Sequence, residues 1–316
     1  MRGVKMNQSV SKRPLNLTLG TVQLGQQYGI ANKIGKPNEE EAINLLRYAF
    51  LNRVTTFDTA PGYGESEDLL GRFLQKQKTL SKDVPKIFTK LPEVKIEETA
   101  SFKRIHDEVK QNLRLSLNKL SLQALDGYLL HNENNLFSHN GKVIKSLAIL
   151  KQQGMIKNIG ASVYSSEAIG KVIAAGCFDM IQVPINVFDQ NLIHSGLLNE
   201  LSKHQIKIYA RSVYLQGLLL LPSNELPEHL KEAKKWIDLL REIASENKIP
   251  PYQLAFCFVR DLPQVDSIVV GCETLTQLKQ NIEMETIPQL PSYVMLQLME
   301  LFKNVPRNVM NPTMWK

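Results

Sequence analysis

The chain has 316 residues, 43% of them hydrophobic and 22% charged, which supplies enough apolar material for a real core and excludes disorder, collagen and coiled coil. Its net charge of +7 is carried by Arg2, Lys5, Lys12 and Arg13 at one end and Lys303, Arg307 and Lys316 at the other, so solvated basic tails are expected and a nucleic-acid face is not. No window reaches ~18 consecutive apolar residues and the first fifteen lack an apolar stretch of ~7, so a cytoplasmic protein is expected, with no membrane span, signal peptide or membrane partner.

Short β-rich runs then alternate with helical ones. The run LTLG starts at Leu17, and residues 38–52 follow as an amphipathic helix with Ala42, Leu45, Leu46 and Ala49 at helical spacing. TTFD starts at Thr55 and KIFTK at Lys86; residues 101–120 then carry Ile105, Val109, Leu113 and Leu117 on one helical face. DGYLLH starts at Asp126, IKNIG at Ile156, MIQVP at Met180 and IKIYA at Ile206. The long interval before SIVVG at Ser267 predicts two helices, residues 230–246 and 252–260, the second entered through Pro250 and Pro251.

These strand starts are on average about 36 residues apart, near the length of one strand plus its crossover helix, and they predict an α/β fold, a (β/α)8 TIM barrel. A doubly wound sheet would need GxGxxG after its first strand. Here Gly20-Thr21-Val22-Gln23-Leu24-Gly25 follows, and Gly62-Tyr63-Gly64 runs to Glu67 instead of glycine. The expected boundaries are a basic tail over 1–14, one barrel domain over 15–290 and an extension over 291–316, whose Trp315 either folds over the mouth or hangs free. Cys177, Cys257 and Cys272 have no metal-ligand spacing and read as reduced thiols, Cys257 in the core, with no metal site expected.

In such barrels chemistry sits at the C-terminal ends of the strands. Asp58 ends the second strand, Tyr63 follows in its loop, Lys90 ends the third and His131 the fourth. Singly, each has a structural explanation: an ion pair for Asp58 and Lys90, a turn tyrosine, a backbone-bonded histidine. Their common position at one mouth favours function. A phenol titrates near ~10 and donates poorly at neutral pH, whereas an adjacent ammonium favours its ionised form. Lys90 would supply that charge, Asp58 would keep the buried lysine protonated, and a neutral His131 would hold a substrate oxygen. The set reads as an acid that protonates oxygen while something else attacks carbon.

The segment Phe57-Asp58-Thr59-Ala60-Pro61-Gly62-Tyr63-Gly64-Glu65-Ser66-Glu67, with Leu70-Gly71, resembles the most recognisable motif of the aldo-keto reductase family. Phe88-Thr89-Lys90, Leu129-Leu130-His131, Ile159-Gly160-Ala161-Ser162, Gln182-Val183-Pro184-Ile185-Asn186 and the stretch from Val269-Val270-Gly271 to Asn281-Ile282 match in order. The resemblance implies reduction of an aldehyde or ketone with NADPH, or NADH as the alternative, and Tyr63 as general acid in a tetrad with Asp58, Lys90 and His131. It implies that Ser162 and Gln182 hold the nicotinamide carboxamide, that Gly20 and Thr21 contact the cofactor, and that Gly271, Cys272, Thr274, Gln277 and Asn281 receive its adenosine half. Three positions depart from the family pattern. Val163 stands where many relatives have asparagine, and Arg211 stands where many set an aromatic ring against the nicotinamide, although a flat guanidinium also stacks. Gln277 stands where an arginine usually grips the 2′-phosphate, with Lys279 as the neighbouring cation.

The loop residues Gln23, Gln26, Gln27, Tyr28 and Asn32, with the polar run 132–135, suit a small hydroxylated carbonyl substrate such as a sugar or sugar derivative. Two other readings stay open: a barrel lyase or aldolase in which Lys90 forms a Schiff base, and a non-catalytic NADPH-binding regulatory barrel. A monomer or weak dimer is expected.

Overall fold

Eight short strands, nearly all buried on both faces, can satisfy their backbone only by pairing with one another, and in the computed structural model they do so around a closed ring. The structure describes residues 16–80 and 83–315. The strands are β1 (Asn16–Gly20), β2 (Thr56–Asp58), β3 (Lys86–Leu91), β4 (Gly127–Leu130), β5 (Ile159–Ser162), β6 (Met180–Pro184), β7 (Lys207–Arg211) and β8 (Ser267–Gly271). All pairs are parallel, and β1 meets β8 through Leu17↔Ile268 and Gly20↔Gly271, which closes the barrel. The register sets Gly20 beside Asp58, Asp58 beside Phe88, and Ser162 beside Gln182, so the polar residues predicted at strand ends share one rim.

The helices form where the apolar spacing places them. Glu39–Leu51 starts from Asn38, whose side chain accepts from Glu41 N while the Glu41 carboxylate returns to Asn38 N, and it buries Ala42, Leu45, Leu46 and Ala49. Phe102–Leu120 is capped by Ser101 and buries Ile105, Val109, Leu113 and Leu117. Two expectations shift. The fifth strand starts at Ile159, because Ile156 makes only an isolated bridge to Leu125 while Asp179 Oδ2 takes the Ile159 N–H at 2.7 Å. The helix expected over 230–246 runs Lys234–Asn247, since residues Glu228–Ala233 wind as a 3-10 turn that buries Leu230 and Ala233 three positions apart.

After β8 the chain packs back on the barrel. Leu298 O, in the helix Ser292–Leu301, accepts from Gln190 Nε2 at 3.0 Å, and Phe302 stacks on Phe188 with centroids 5.3 Å apart. Trp315 neither covers the mouth nor hangs free: its Nε1 donates to Asn308 O at 3.0 Å. Lys303 is no free tail charge either, as it pairs with Glu300. Residues 1–14 and Lys316 lie outside the described residues. Among the described residues no helix is long and apolar enough to cross a membrane, and no cluster of three or more His, Cys, Asp or Glu could hold a metal ion.

Candidate active site

The strand ends open into a cavity of ≈ 410 Å³, lined among others by Gly20, Asp58, Tyr63, His131, Gln182, Arg211, Gly271, Gln277 and Asn281. Behind it sits Lys90, with 1% of its side chain exposed, against 4% for Asp58. Lys90 Nζ donates to Asp58 Oδ2 at 2.7 Å, to Thr59 O at 2.9 Å and to Tyr63 Oη at 3.3 Å. Burial works to lower the Lys90 pKa, but the charge of Asp58 and the Tyr63 oxygen outweigh it and hold it raised. An ammonium has three N–H donors, all engaged here, so no nitrogen lone pair is available. The second oxygen of Asp58 takes Gln182 Nε2 at 2.5 Å, a bond that reaches from β2 to β6.

His131 meets the Tyr63 ring edge to face, with centroids 5.7 Å apart and an interplanar angle of 86°. Burial, followed by the charges of Lys90 and Arg211, lowers its pKa to about 4, so the imidazole is neutral around pH 7.

The loop that carries Tyr63 is fixed by close backbone approach. A Cβ on Gly25 would stand 1.8 Å from Tyr63 O and 2.7 Å from Ser66 N, so only glycine lets the two loops meet. Below that contact, Ser66 Oγ lies 2.6 Å from Thr21 Oγ1 and 2.9 Å from Thr59 Oγ1, and Thr21 Oγ1 donates to Asp58 O at 2.9 Å. Thr21 is therefore a support for Asp58. Its hydroxyl is engaged below the cavity by Asp58 O and Ser66.

Gly20 and Gly271 also line the cavity, side by side and without side chains, and Gln23 fills the space over Gly271. A Cβ on Gly271 would lie 1.9 Å from Gln23 Oε1, an acceptor that is itself buried without a hydrogen-bond partner. An orphaned acceptor on a cavity wall suits a ligand that brings an amide or hydroxyl donor, and a nicotinamide cofactor brings both. Asn281 is buried with its Oδ1 accepting from Tyr214 Oη at 2.7 Å.

Gln277 lines the cavity, but its Oε1 accepts from Glu273 N at 2.8 Å and Thr274 N at 3.3 Å, closing a capping box with Thr274 on the helix Leu275–Glu283. Thr274 is thus a helix cap outside the lining residues. Cys272 is buried, and burial, with Glu273 adding to it, pushes its thiol up to about 12. The Lys279 ammonium sits 5.4 Å over the Tyr48 ring, and Lys279 is not among the residues lining the cavity.

The two residues of the expected carboxamide pair are register neighbours on β5 and β6 but differ in their exposure to the cavity. Ser162 is buried and outside the lining, and the helix Ser166–Ala175 is capped by Ser165. Gln182 lines the cavity with its amide committed to Asp58. One face of the Arg211 guanidinium is covered by the Tyr164 ring, 4.1 Å away, so that face is closed to a nicotinamide. Tyr164, Tyr214 and Gln216 complete the wall and were not read from sequence. Tyr164 follows β5 with its N–H held by Glu133, and Tyr214 and Gln216 follow β7 on a segment whose course depends on positive φ at Ser212, Leu215, Gln216 and Gly217 and on the Ile30 N–H bonded to Gln216 O at 3.1 Å. The only signal in the sequence was the turn-prone Gln216-Gly217 pair.

The family model for the aldo/keto reductase family matches residues 16–303. The chain belongs to that family. Aldo/keto reductases are oxidoreductases of carbonyl compounds that work with nicotinamide cofactors. Among curated relatives, D-arabinose 1-dehydrogenase of Saccharomyces cerevisiae is 33% identical over 155 residues, or 48% of this chain and 44% of that enzyme. The NADH-specific methylglyoxal reductase of Escherichia coli is 23% identical over 276 residues, covering 78% of this chain and 83% of the relative. In fold, the chain is similar to an aldo-keto reductase from Bacillus halodurans in its holo form, with a TM-score of 0.74 and 20% identity over 95% of this chain and 99% of that one.

Proposed function

We propose that the protein reduces the carbonyl of an aldehyde or ketone to an alcohol with Tyr63 as general acid, on a hydroxylated substrate such as a sugar or sugar derivative. The observation that carries this reading is the line of hydrogen bonds from Asp58 through Lys90 to Tyr63, ending in a cavity beside His131. When bound, the nicotinamide cofactor supplies hydride to the carbonyl carbon. Tyr63 gives its hydroxyl proton to the carbonyl oxygen, and the Lys90 ammonium stabilises the charge left on the phenol oxygen. Asp58 keeps that ammonium in place, and neutral His131 donates a ring N–H to the same carbonyl oxygen. Tyr28 and Gln216, on the rim, offer hydrogen bonds to substrate hydroxyls, whereas the Asn32 amide is spent on the backbone of its own loop.

Gly20, Gln23, Gly271, Gln277 and Asn281 would hold the cofactor. Glu273 and Gln277 line the cavity where a 2′-phosphate would fall, and Lys279 is turned away, so this end favours NADH over the NADPH that the family motif implies. The relative named as NADH-specific agrees with that choice. The fully engaged Lys90 nitrogen speaks against a Schiff base, and the complete tetrad against a purely regulatory barrel. Fluorescence titration with NADH and NADPH, followed by an aldehyde, ketone and sugar panel, tests the reading. Cofactor oxidation matched by alcohol formation is expected. Borohydride trapping of substrate on Lys90, or tight cofactor binding with no turnover, would replace it with one of the two other readings.

A further inference from the structure

Arg211 ends β7 and is the one lysine or arginine among the residues lining the cavity. A guanidinium carries five N–H groups in a fixed fork. Here Nη1 reaches Ser212 Oγ and Nη2 reaches Val163 O, each at a long 3.4 Å, while Nε is buried with no partner. Among the described residues no carboxylate lies within ion-pair distance of it. Of the nearby acids, Glu273 lines the cavity without pairing with Arg211, Asp189 feels the charge of Arg211 from beyond bonding distance, and the others are engaged elsewhere. Glu133 accepts from the backbone N–H of Tyr164 at 3.0 Å and of Ser165 at 3.3 Å. Asp189 accepts from the Asn191 side chain at 3.0 Å, and Asp58 holds Lys90 and Gln182.

A half-filled guanidinium on a cavity wall is costly unless a ligand completes it, because desolvated donors lose their water without gaining partners. The Tyr164 ring fixes the plane of the fork from behind. Its charge also bears on the reacting end, since Arg211 is one of the two cations that disfavour protonation of His131. We propose that Arg211 receives an oxyanionic group of the carbonyl substrate, a carboxylate or a phosphate, so that the preferred substrate is a hydroxylated aldehyde or ketone that is also an acid. This rests on the carbonyl-reduction reading above and names the substrate class of that site. Both anions match the guanidinium fork in a two-bond geometry.

The test compares carbonyl compounds that differ in the acid group: D-glucuronate against D-glucose, and glyceraldehyde 3-phosphate against glyceraldehyde. In the unaltered protein the acidic member of at least one pair is expected to show a kcat/KM higher by at least about tenfold, and the pair that does so tells carboxylate from phosphate. Arg211→Met should cut that ratio by about tenfold or more, mainly through KM, and Arg211→Lys should keep part of it as a point charge without the fork. Circular dichroism checks folding, and the preference of the unaltered protein stands as evidence even where Arg211→Met does not fold. Calorimetric titration of D-glucuronate and glyceraldehyde 3-phosphate into cofactor-saturated protein and its variants gives a readout independent of turnover. The proposal is overturned if the neutral members are preferred, or if Arg211→Met leaves the acid preference unchanged. It is also overturned if the variant weakens cofactor binding about tenfold while acid preference persists, because the guanidinium then serves the cofactor. If no carbonyl compound of any kind is reduced, the reduction reading fails. Calorimetry then still decides whether Arg211 takes an acid.

Discussion

The hydroxyl oxygen of Tyr63 accepts a hydrogen bond from Lys90 Nζ at 3.3 Å. One lone pair of the phenol is thereby tied to an ammonium behind it, which leaves the O–H free to aim into the cavity beside His131. Donor and charge are thus held in one geometry before any substrate arrives.

Removing only that hydroxyl tests its role. Tyr63→Phe should lose at least ~10²-fold in turnover while NADH or NADPH binding changes little, since a general acid acts in the transition state. Steady-state rates beside fluorescence titration check it, and retention of most activity would sink the mechanism.

The pair behind Tyr63 is buried, so breaking it carries a stability cost as well as a kinetic one. Lys90→Met leaves Asp58 without its cation and should lower unfolding free energy by roughly 3 to 5 kcal/mol in urea titration, and turnover should fall in both Lys90→Met and Asp58→Asn. Rates and pH profiles equal to those of the unaltered protein would make the pair merely structural.

Acid should weaken the fold through His131. Its pKa falls from 6.5 in the unfolded chain to about 4 in the folded one, so as pH drops the unfolded chain takes the proton first. The contribution is complete above about pH 6.5 and is lost progressively down to about pH 4, at about 1.4 kcal/mol per pH unit, on the order of 3 kcal/mol in all. His131→Asn should be less acid-sensitive than the unaltered protein by that amount across this window. Parallel stability curves would show that His131 is not held neutral.

Gly25 offers a test that touches no reacting group. Its added Cβ in Gly25→Ala would meet the Tyr63 carbonyl and Ser66 N–H, both backbone, and must push the Tyr63 loop aside. The expected result is a folded protein whose turnover drops by about tenfold or more, because misplacement of a catalytic group by about 1 Å is costly. Activity close to the original would mean that the loop re-forms around the methyl group.

Cofactor choice is the fifth test. Gln277→Arg should tighten NADPH at least several-fold and leave NADH almost unaffected, as a hydrogen bond to a charged group is worth roughly 1.5 to 3 kcal/mol. The same change removes the capping-box oxygen that now holds Glu273 N and Thr274 N, so about 0.5 to 2 kcal/mol of stability should be lost. If neither affinity moves, Gln277 does not face the phosphate.

What was legible in the sequence follows from how local each signal is. The eight strands were readable because each is a short apolar run bounded by turn residues, and Asp58, Lys90 and His131 because each stands at the end of such a run. Ile156 misled the fifth strand by looking like the runs around it, since nothing nearby in sequence reveals that Asp179 takes the Ile159 N–H. Tyr214 and the true place of Lys279 were hidden for a related reason: the first depends on left-handed backbone at Ser212 and Gln216, the second on an aromatic partner more than two hundred residues away. Gly25 was seen only as part of a failed nucleotide fingerprint. Its use lies in a loop-to-loop approach that no spacing encodes.

The bond from Gln182 to Asp58 also bears on the order in which the molecule assembles. It joins residues 124 positions apart, and the Thr18–Ser267 contact at the β1–β8 seam joins residues 249 apart, so both demand long loop closures before they return any energy. In a refolding chain the helices and adjacent strand pairs form ahead of them, and an open sheet would carry Asp58 with one oxygen unmatched. Ligand binding should therefore be the last property recovered after dilution from denaturant, later than helical signal, and a chain whose ring has not shut is inert toward reactive carbonyls.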